Sequence, residues 1–225
     1  MSELISYFER YALVSREKQM KLARLVGEHI FDLDLDAGVA RFSGSLEFPL
    51  QVLGTQSDNT LTWLWAWAEE QTEIPADLQR SSLEMQDWGR GHNVPECTAP
   101  SVDLGRADGG LLSLVAAEVC KASCYYRDVY EGGALFLLLF SRDIDRQPSF
   151  GADDLARSFA DLAAVYDFHH RNAFRSYLQM KNLPHSEHAS FIAGELDTGE
   201  DIRANFEESG RMVSLNGKPL LREEE

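Results

Sequence analysis

Residues 61–68 read Leu-Thr-Trp-Leu-Trp-Ala-Trp-Ala, and this stretch decides the fold class. Successive side chains of a β-strand point to opposite faces of a sheet. A strand here places Trp63, Trp65 and Trp67 on one face, and a leucine and an alanine on the other. Because both faces are apolar, the pattern predicts a central strand whose tryptophans fill a core, and we expect Trp65 to be buried.

The residues before this strand predict a helix followed by an antiparallel meander. Residues 3–29 carry apolar side chains at helical spacing, with charged residues between them and no Gly or Pro before Gly27. At Ile30–Asp36 the period changes to two, because leucine and phenylalanine alternate with aspartate. Two further short apolar runs, Val39–Phe42 and Phe48–Gly54, are bounded by turn residues and are typical of strands.

The residues after the tryptophan strand predict further helices and a hairpin. One helix opens after Pro75. A second covers Gly110–Lys121 and consists mostly of small apolar residues, which is typical of a buried helix. A hairpin joins residues 125–130 to residues 134–141.

A long helix of about six turns is predicted to begin at Asp153 or Asp154. Its apolar stripe advances in steps of four and three residues. The stripe consists of Leu155, Phe159, Leu162, Tyr166, His169, Ala173 and Tyr177. The predicted fold class is therefore α+β: an antiparallel sheet, built from the N-terminal meander and the later hairpin, is covered by about four helices, with a small C-terminal β extension.

Residues 184–225 differ in composition from the rest of the chain. They are polar, punctuated by glycine, and contain short alternating runs and an Asn216-Gly217 turn of the type found in hairpins. We therefore predict a main α+β domain at residues 1–183 and a β-hairpin appendage with an acidic tail at residues 184–225. The strands of the appendage pair either within the chain or with a second copy of it. The second alternative gives a homodimer.

The tryptophan strand at Trp63–Ala68 resembles a bacterial family of uncharacterised domains. So do Leu53-Gly54-Thr55, the small-residue helix at residues 110–121 and the strand start at Tyr125-Tyr126-Arg127, and the resemblance covers roughly residues 20–142. That family has no established activity, so the resemblance implies no catalytic residues. The order of helices and strands is also similar to that of small bacterial secretion-chaperone-like domains, an analogy of fold that does not determine function.

The charge of the chain is strongly negative and unevenly distributed. There are 37 Asp and Glu residues against 21 Lys and Arg residues, which gives a formal net charge of −16. Residues 47–108 carry −8 and residues 195–225 carry −5, whereas residues 1–46 and 109–194 carry only −1 and −2. The acidic zones are either solvated surface that keeps the protein soluble or a patch for a basic partner.

The charge and the apolar runs argue against two classes of partner. Affinity for nucleic acid comes mainly from Lys and Arg that displace counterions from phosphates, so we expect no nucleic-acid partner. The longest apolar run, Ala134–Phe140, has seven residues, against the ~20 that a membrane-spanning helix needs, so we expect no membrane partner. Three cysteines and the lack of a secretory signal pattern favour the cytoplasm.

Three short patterns contain residue types that bind metals, but each is incomplete. The patterns are Asp32-x-Asp34-x-Asp36, His185-x-x-His188 and Cys120-x-x-x-Cys124. A calcium loop of the EF-hand type needs Gly at its sixth position and Glu at its twelfth, where this chain has Ala37 and Ser43. A structural zinc site needs a second ligand pair beside either the histidines or the cysteines. We therefore expect no metal and no cofactor.

The sequence patterns of known catalytic sites are missing. The chain has no Gly-x-Ser-x-Gly elbow, phosphate-binding loop, Rossmann glycine pattern or His-Glu-x-x-His helix. His169 and Tyr166 share the stripe of the long helix, where a histidine is usually a core residue and only seldom a general base. Cys97, between two prolines, is the expected exposed thiol. These patterns argue against an enzyme without settling the question.

The sequence therefore predicts a non-catalytic, acidic binding protein. Its expected partner is a basic or aggregation-prone protein, of the kind held by a chaperone or a toxin-neutralising protein. The alternative is a small-molecule-binding protein or enzyme with a cleft near the tryptophan strand and His169. In either case, the candidate ligand or partner groove consists of Trp63, Trp65, Trp67, Tyr166 and His169.

Overall fold

The computed structural model describes residues 2–69 and 73–219. These residues form seven α-helices, a 3₁₀ helix at Ala76–Leu78 and twelve strands. The helices are α1 (Glu3–Val26), α2 (Arg80–His92), α3 (Pro95–Thr98), α4 (Gly109–Val119), α5 (Arg142–Asp145), α6 (Ala152–Val165) and α7 (His170–Met180). The strands are β1 (Phe31–Asp34), β2 (Val39–Phe42), β3 (Leu46–Ser57), β4 (Thr62–Trp65), β5 (Ser101–Asp103), β6 (Cys124–Tyr130), β7 (Gly133–Leu139), β8 (His185–Glu187), β9 (Phe191–Glu195), β10 (Asp201–Phe206), β11 (Met212–Leu215) and β12 (Lys218–Pro219).

Strand β3 organises the first sheet because it is long enough to pair with three other strands. Leu46–Pro49 pair with β2, Gly54–Ser57 pair with β4, and Leu50–Ser57 pair on the opposite side with β7. β1 follows outside β2, β5 outside β4 and β6 outside β7, which gives seven antiparallel strands. The α+β fold class, with a sheet built from the meander and the later hairpin, is confirmed.

A glycine in β3 makes room for the tryptophans of β4. The register of β3 against β7 shifts between Val52 and Gly54. A Cβ atom at Gly54 would lie 2.5 Å from the ring of Trp63 and closer still to the carbonyl oxygen of Leu64. Only glycine fits at this position, because every other residue carries a Cβ atom.

The tryptophan strand is shorter than the sequence predicts. β4 ends at Trp65, and the N–H of Ala68 donates to the Trp65 carbonyl at 2.9 Å, which closes a turn. Trp63 and Trp65 are both 0% exposed and pack edge to face, with ring centroids 5.3 Å apart. The predicted burial of Trp65 is therefore confirmed. The prediction that Trp67 continues their strand is wrong, because the chain turns and the N–H of Trp67 donates to the hydroxyl of Ser82 (3.3 Å).

Helix α4 lies beside this strand and begins where the sequence predicts. Asp108 is its N-cap, and its carboxylate accepts a hydrogen bond from the N–H of Leu111 at 2.7 Å. Gly109 in the first turn touches the rings of Phe136 and Trp63, which leave no space for a side chain. Most of the helix is buried, as its small apolar residues predict.

Helix α1 is the longest helix and follows the predicted pattern. It spans 24 residues, and Leu4, Phe8, Leu13 and Leu22 on its apolar stripe are buried. In the described part of the chain, no helix combines the length and the apolar character needed to cross a membrane.

The single long helix predicted after residue 153 is wrong, because the chain forms α6 and α7 instead. The segment Tyr166–His169 breaks the helix although it contains no glycine or proline. The break buries Phe168 against the ring of Phe8, with centroids 5.5 Å apart. Burial of such a ring stabilises the fold by about 1.5–3 kcal/mol, which offsets the helical hydrogen bonds given up.

The C-terminal strands form a second, five-stranded antiparallel sheet in the order β12-β11-β10-β9-β8. The predicted turn at Asn216-Gly217 is confirmed. It joins β11 to β12, and both residues have positive φ, 49° and 74°, as in a type I′ turn. The predicted acidic tail beyond Pro219 lies outside the described residues.

The contacts within the chain divide it into two compact units. The first comprises Met1–Leu4 and Lys18–Gln147, and the second comprises Ile5–Glu17 and Pro148–Glu225, so that α1 contributes to both. The predicted domains at residues 1–183 and 184–225 stay a prediction.

Candidate functional site

One end of the first sheet collects the turns of two hairpins and the end of an edge strand. The β3–β4 and β6–β7 turns are joined by a hydrogen bond from the N–H of Asp58 to the Gly132 carbonyl (3.0 Å). The end of β5 joins them through the N–H of Leu104 and the Leu61 carbonyl (2.9 Å). We call the side chains gathered here the strand-end surface. They are Asp58, Leu61, Asp103, Asp128, Val129, Tyr130 and Glu131.

Hydrogen bonds within the β3–β4 turn and a close approach of the two hairpins fix these turns. The hydroxyl of Ser57 accepts a hydrogen bond from the N–H of Thr60 (3.2 Å), and the hydroxyls of Thr60 and Thr62 are bonded to each other (2.7 Å). Gly133 lies so close to the carbonyl oxygen of Gln56 that a Cβ atom would not fit. The two turns are therefore held in register by their own residues.

Three large apolar side chains of the strand-end surface are exposed, and Val129 and Tyr130, as consecutive residues of β6, point to opposite faces of the sheet. Leu61 is 60% exposed, Val129 is 65% exposed and Tyr130 is 49% exposed. Neighbouring strands lie about 4.8 Å apart, and β3 and β7 separate β4 from β6, so Leu61 and Tyr130 lie roughly 14 Å apart. This width matches an extended peptide of about four residues.

Leu61 has a backbone conformation that leucine rarely adopts. Its φ is +52°, in the left-handed region. That conformation costs a residue other than glycine about 1–2 kcal/mol, because Cβ approaches the following carbonyl oxygen. Strained residues concentrate at functional sites. An exposed leucine held in this conformation therefore draws attention to the turn as a binding element.

The four carboxylates of the surface make this end of the sheet negative. Burial raises the pKa of Asp128 above its usual value. Two cations close in sequence to these carboxylates make contacts of their own: the guanidinium of Arg127 lies 5.9 Å from the ring centroid of Phe136, and Nε of Arg106 donates to Glu96 at 2.9 Å. The surface therefore attracts positively charged groups.

The strand-end surface combines apolar side chains with carboxylates. Its leucine, valine and tyrosine offer apolar area, and its carboxylates attract cations. A ligand that matches it carries both apolar and basic groups.

The predicted groove residues fall in both units. Trp63, Trp65 and Trp67 belong to the first unit, and Tyr166 and His169 belong to the second. Trp63 and Trp65 have no exposed surface, whereas Trp67 is partly exposed. A groove shared by all five residues stays a prediction.

His169 positions helix α7. Its ring atom Nδ1 accepts a hydrogen bond from the backbone N–H of Asn172 (3.3 Å). The backbone N–H of His169 donates to the carboxylate of Glu9 (2.8 Å). Tyr166 packs on Phe8, with ring centroids 4.9 Å apart.

A polar groove of about 530 Å³ between α1 and α7 is lined by neither Tyr166 nor His169. Its lining residues are Ser6, Glu9, Arg10, Asn172, Arg175, Ser176, Gln179 and Met180.

The aspartates of β1 are paired with an arginine. Arg41 lies 3.4 Å from Asp32 and 3.1 Å from Asp34. Within residues 2–69 and 73–219, no group of three or more His, Cys, Asp or Glu side chains is placed to hold a metal ion.

The prediction that Cys97 is an exposed thiol is wrong. Cys97 is 0% exposed. Burial raises the pKa of the Cys97 thiol to about 12, and the neighbouring carboxylate of Glu96 acts in the same direction. The thiol is therefore protonated at neutral pH and is a poor nucleophile.

Sequence reasoning missed the apolar members of the strand-end surface. Val129 and Tyr130 end a strand that the sequence predicts only as part of a hairpin, and the pattern of that strand does not show that both side chains are exposed. Leu61 falls inside the predicted strand, although it follows the Ser57-Asp58-Asn59 turn directly. That position next to a turn is the signal that marks it as a turn residue.

Comparison with known proteins gives one match, which covers the strand-end surface and the tryptophan strand. The model described as "Family of unknown function (DUF6882)" matches residues 5–142. No curated protein and no solved structure matches the chain. The predicted resemblance to an uncharacterised domain family is confirmed, whereas the bacterial origin and the likeness to secretion chaperones stay predictions. Because the match covers more than half of its residues, the chain belongs to the family of unknown function DUF6882.

Proposed function

We propose that the protein is a non-catalytic binding protein whose strand-end surface holds a basic, partly apolar segment of another protein. The observation that carries the proposal is Leu61, which is 60% exposed at a φ of +52°. Such a residue lowers stability and buries little in the folded chain, and a role in binding accounts for it. The partner is a basic or aggregation-prone protein, so the role is that of a chaperone or a toxin-neutralising protein.

The apolar side chains supply the affinity. Covering a large apolar side chain completely stabilises a complex by about 1.5–3 kcal/mol. Leu61, Val129 and Tyr130 start about half exposed or more. An extended segment on one face of the sheet covers Leu61 and one of the other two, which contributes on the order of 2–3 kcal/mol. Association also costs translational and rotational freedom. The surface alone therefore suits a weak, reversible complex.

The carboxylates decide which segments bind. Asp58, Asp103, Asp128 and Glu131 attract lysine and arginine and repel phosphates and acidic chains. Each exposed charge pair adds little affinity, but together they speed association and are screened by salt. A basic protein segment therefore fits the surface better than a nucleic acid or an anionic membrane.

Designed peptides test the proposal before the partner is identified. Short fluorescent peptides alternate Lys with Leu, Glu with Leu, or Lys with Ser, and binding is followed by anisotropy. We expect only the Lys–Leu peptide to bind, and more weakly as salt rises from about 0.05 M to about 0.5 M. Equal binding of the Glu–Leu or the Lys–Ser peptide contradicts the proposal.

Apolar variants locate the binding site. The double variant Leu61→Ser, Val129→Ser is expected to weaken Lys–Leu binding at least about fivefold, which corresponds to about 1 kcal/mol. The matched control is Val165→Ser with Val213→Ser, two valines that are 67% and 41% exposed elsewhere. An equal loss in the control means non-specific adhesion and overturns the assignment.

Charge variants test the role of the carboxylates. Asp58→Asn with Glu131→Gln is expected to flatten the dependence of binding on salt, because fewer charges remain to be screened. Glu208→Gln, an exposed carboxylate of the second unit, is the control and is expected to leave the salt dependence unchanged. A salt dependence that survives in the double variant places the attraction elsewhere.

A further inference from the structure

A cleft of about 480 Å³ opens in the first unit, beside Pro49–Gln51 of β3. It lies between that strand, the turn before β2, the 3₁₀ helix and the first turns of α2. Its lining residues are Ala37, Gly38, Pro49, Leu50, Gln51, Asp77, Leu78, Arg80, Ser81, Glu84, Cys120 and Phe140. None of these residues belongs to the strand-end surface.

The lining of the cleft mixes apolar and polar residues, and one of its polar side chains is used internally. Leu50 and Leu78 are buried. Nε2 of the buried Gln51 donates to the carbonyls of Leu50 (3.1 Å) and Asp77 (3.0 Å), and its Oε1 accepts from the N–H of Ser81 (3.3 Å). Gln51 therefore holds the start of α2 against β3, and the hydrogen bonds of its side-chain amide are made within the protein.

The charged lining residues are two carboxylates and one guanidinium. Asp77, Glu84 and Arg80 are exposed. Nε of Arg80 donates to the main-chain carbonyl of Asp77 (3.1 Å). Burial raises the pKa of the Cys120 thiol, and the carboxylate of Glu84 acts in the same direction, so this thiol is neutral. The charged lining residues therefore carry a formal net charge of −1, next to apolar residues such as Pro49 and Phe140.

We propose that this cleft binds a small organic cation, a primary amine on a short alkyl chain. The volume lies in the range of small-molecule sites. The alkyl chain lies on the apolar part of the lining, and the ammonium group forms charge-assisted hydrogen bonds with Glu84 and Asp77. A carboxylate ligand meets these two like charges against the single opposite charge of Arg80, and an alcohol gains no charge attraction. This site does not depend on the proposed partner binding.

Three ligands of equal chain length test the class of ligand. Isothermal titration at neutral pH compares hexylamine, hexanol and hexanoate. We expect hexylamine to bind at least about fivefold more tightly than the other two, since only it pairs with the carboxylates. Equal binding of hexanol, or a preference for hexanoate, overturns the proposal.

Two substitutions on α2 test the carboxylate. Glu84→Gln is expected to weaken hexylamine binding at least about threefold. Asp87→Asn lies on the same helix, at a side chain that is 77% exposed and outside the cleft, and is expected to change nothing. Asp58→Asn on the strand-end surface is likewise expected to leave hexylamine binding intact, which separates this proposal from the proposed function. Unchanged binding in Glu84→Gln overturns the assignment.

The thiol of Cys120 reports where the amine binds. Cys120 is 8% exposed, whereas Cys97 and Cys124 are 0% exposed and serve as internal references. Alkylation by iodoacetamide at each cysteine is followed by peptide mass spectrometry, with and without saturating hexylamine. We expect hexylamine to slow alkylation of Cys120 at least about twofold. An unchanged rate at Cys120 places the amine elsewhere and contradicts the proposal.

Discussion

The Nδ1 atom of His170 accepts a hydrogen bond from the backbone N–H of Met212 at a distance of 3.2 Å. The bond joins the first turn of α7 to the start of β11. It requires an unprotonated Nδ1, because an imidazolium has only donors. The ring also packs against Phe159 and Phe168, with centroids 5.2 and 4.9 Å away. His170 therefore belongs in its neutral form in the folded protein.

We predict that mild acid destabilises the protein through His170. Burial lowers the pKa of His170, the charges of Arg211 and His169 act in the same direction, and Asp167 opposes them by a smaller amount. The unfolded chain therefore takes up this proton more readily than the folded chain. The free energy of unfolding consequently falls as the pH drops below the pKa of about 6.5 that a histidine has in the unfolded chain. Above that pH, the stability that neutral His170 contributes is fully present.

Urea unfolding between about pH 7.5 and about pH 5.5 measures this effect. His170→Asn keeps a side-chain acceptor but does not titrate, so the free energy of unfolding of this variant is expected to fall less with acid. His92→Asn, at an exposed histidine of α2, is the control and is expected to follow the wild type. A His170→Asn variant with the acid sensitivity of the wild type contradicts the prediction.

We predict that a buried carboxylate makes Lys181 essential for stability. Glu17 is 4% exposed, and it accepts hydrogen bonds from the hydroxyl of Tyr177 (2.7 Å) and from Nζ of Lys181 (2.9 Å). Lys181→Met leaves this carboxylate without its nearest cation. Loss of one partner of a buried ion pair lowers the free energy of unfolding by about 3 kcal/mol.

Two further variants show whether the cost comes from the stranded charge. Adding Glu17→Gln to Lys181→Met removes the charge and is expected to recover most of the loss. Lys218→Met breaks an exposed pair with Asp153 and is expected to change denaturant unfolding very little. If Lys181→Met and Lys218→Met lower the free energy of unfolding equally, the buried ion pair contributes no more to stability than the exposed one, and the prediction is wrong.

We predict opposite effects of two glycine-to-alanine substitutions. Gly54→Ala places a methyl group 2.5 Å from the ring of Trp63, so overpacking is expected to lower the free energy of unfolding by about 3 kcal/mol. Gly91 lies in α2, and a Cβ atom there would meet no neighbouring atom within 4 Å. Gly91→Ala is therefore expected to raise the free energy of unfolding by about 0.5–1 kcal/mol. Thermal unfolding distinguishes them, and a tolerated Gly54→Ala refutes the packing argument.

Local patterns predict the parts of the fold that depend on local structure. The bounds of β2, the N-cap at Asp108 and the Asn216-Gly217 turn follow from alternation, capping and turn chemistry. The helix break at Tyr166–His169 could not be predicted, because the apolar stripe continues through it. Its cause is burial of Phe168 against Phe8, a contact between residues far apart in the sequence.

The candidate site shows the same limit. The acidic zone at residues 47–108 contains Asp58 and Asp103 of the strand-end surface. The distribution of charge along the sequence therefore indicates part of this surface. The other members come from β6 and its turn, and only strand pairing brings them to the same end of the sheet. The position of Leu61 next to a turn is visible in the sequence, but leucine itself does not signal a positive φ, which belongs to the folded turn.

We predict that Leu61→Asn stabilises the free protein and weakens its binding to the partner. Asparagine tolerates the left-handed conformation better than leucine, so the free energy of unfolding is expected to rise by about 0.5–1 kcal/mol. The same change removes apolar area that the Lys–Leu peptide covers. Leu83→Asn, at a 43% exposed leucine in α2, is the control and is expected to destabilise. Urea unfolding and peptide anisotropy measure both effects. A less stable Leu61→Asn protein with undiminished binding would mean that Leu61 serves the fold.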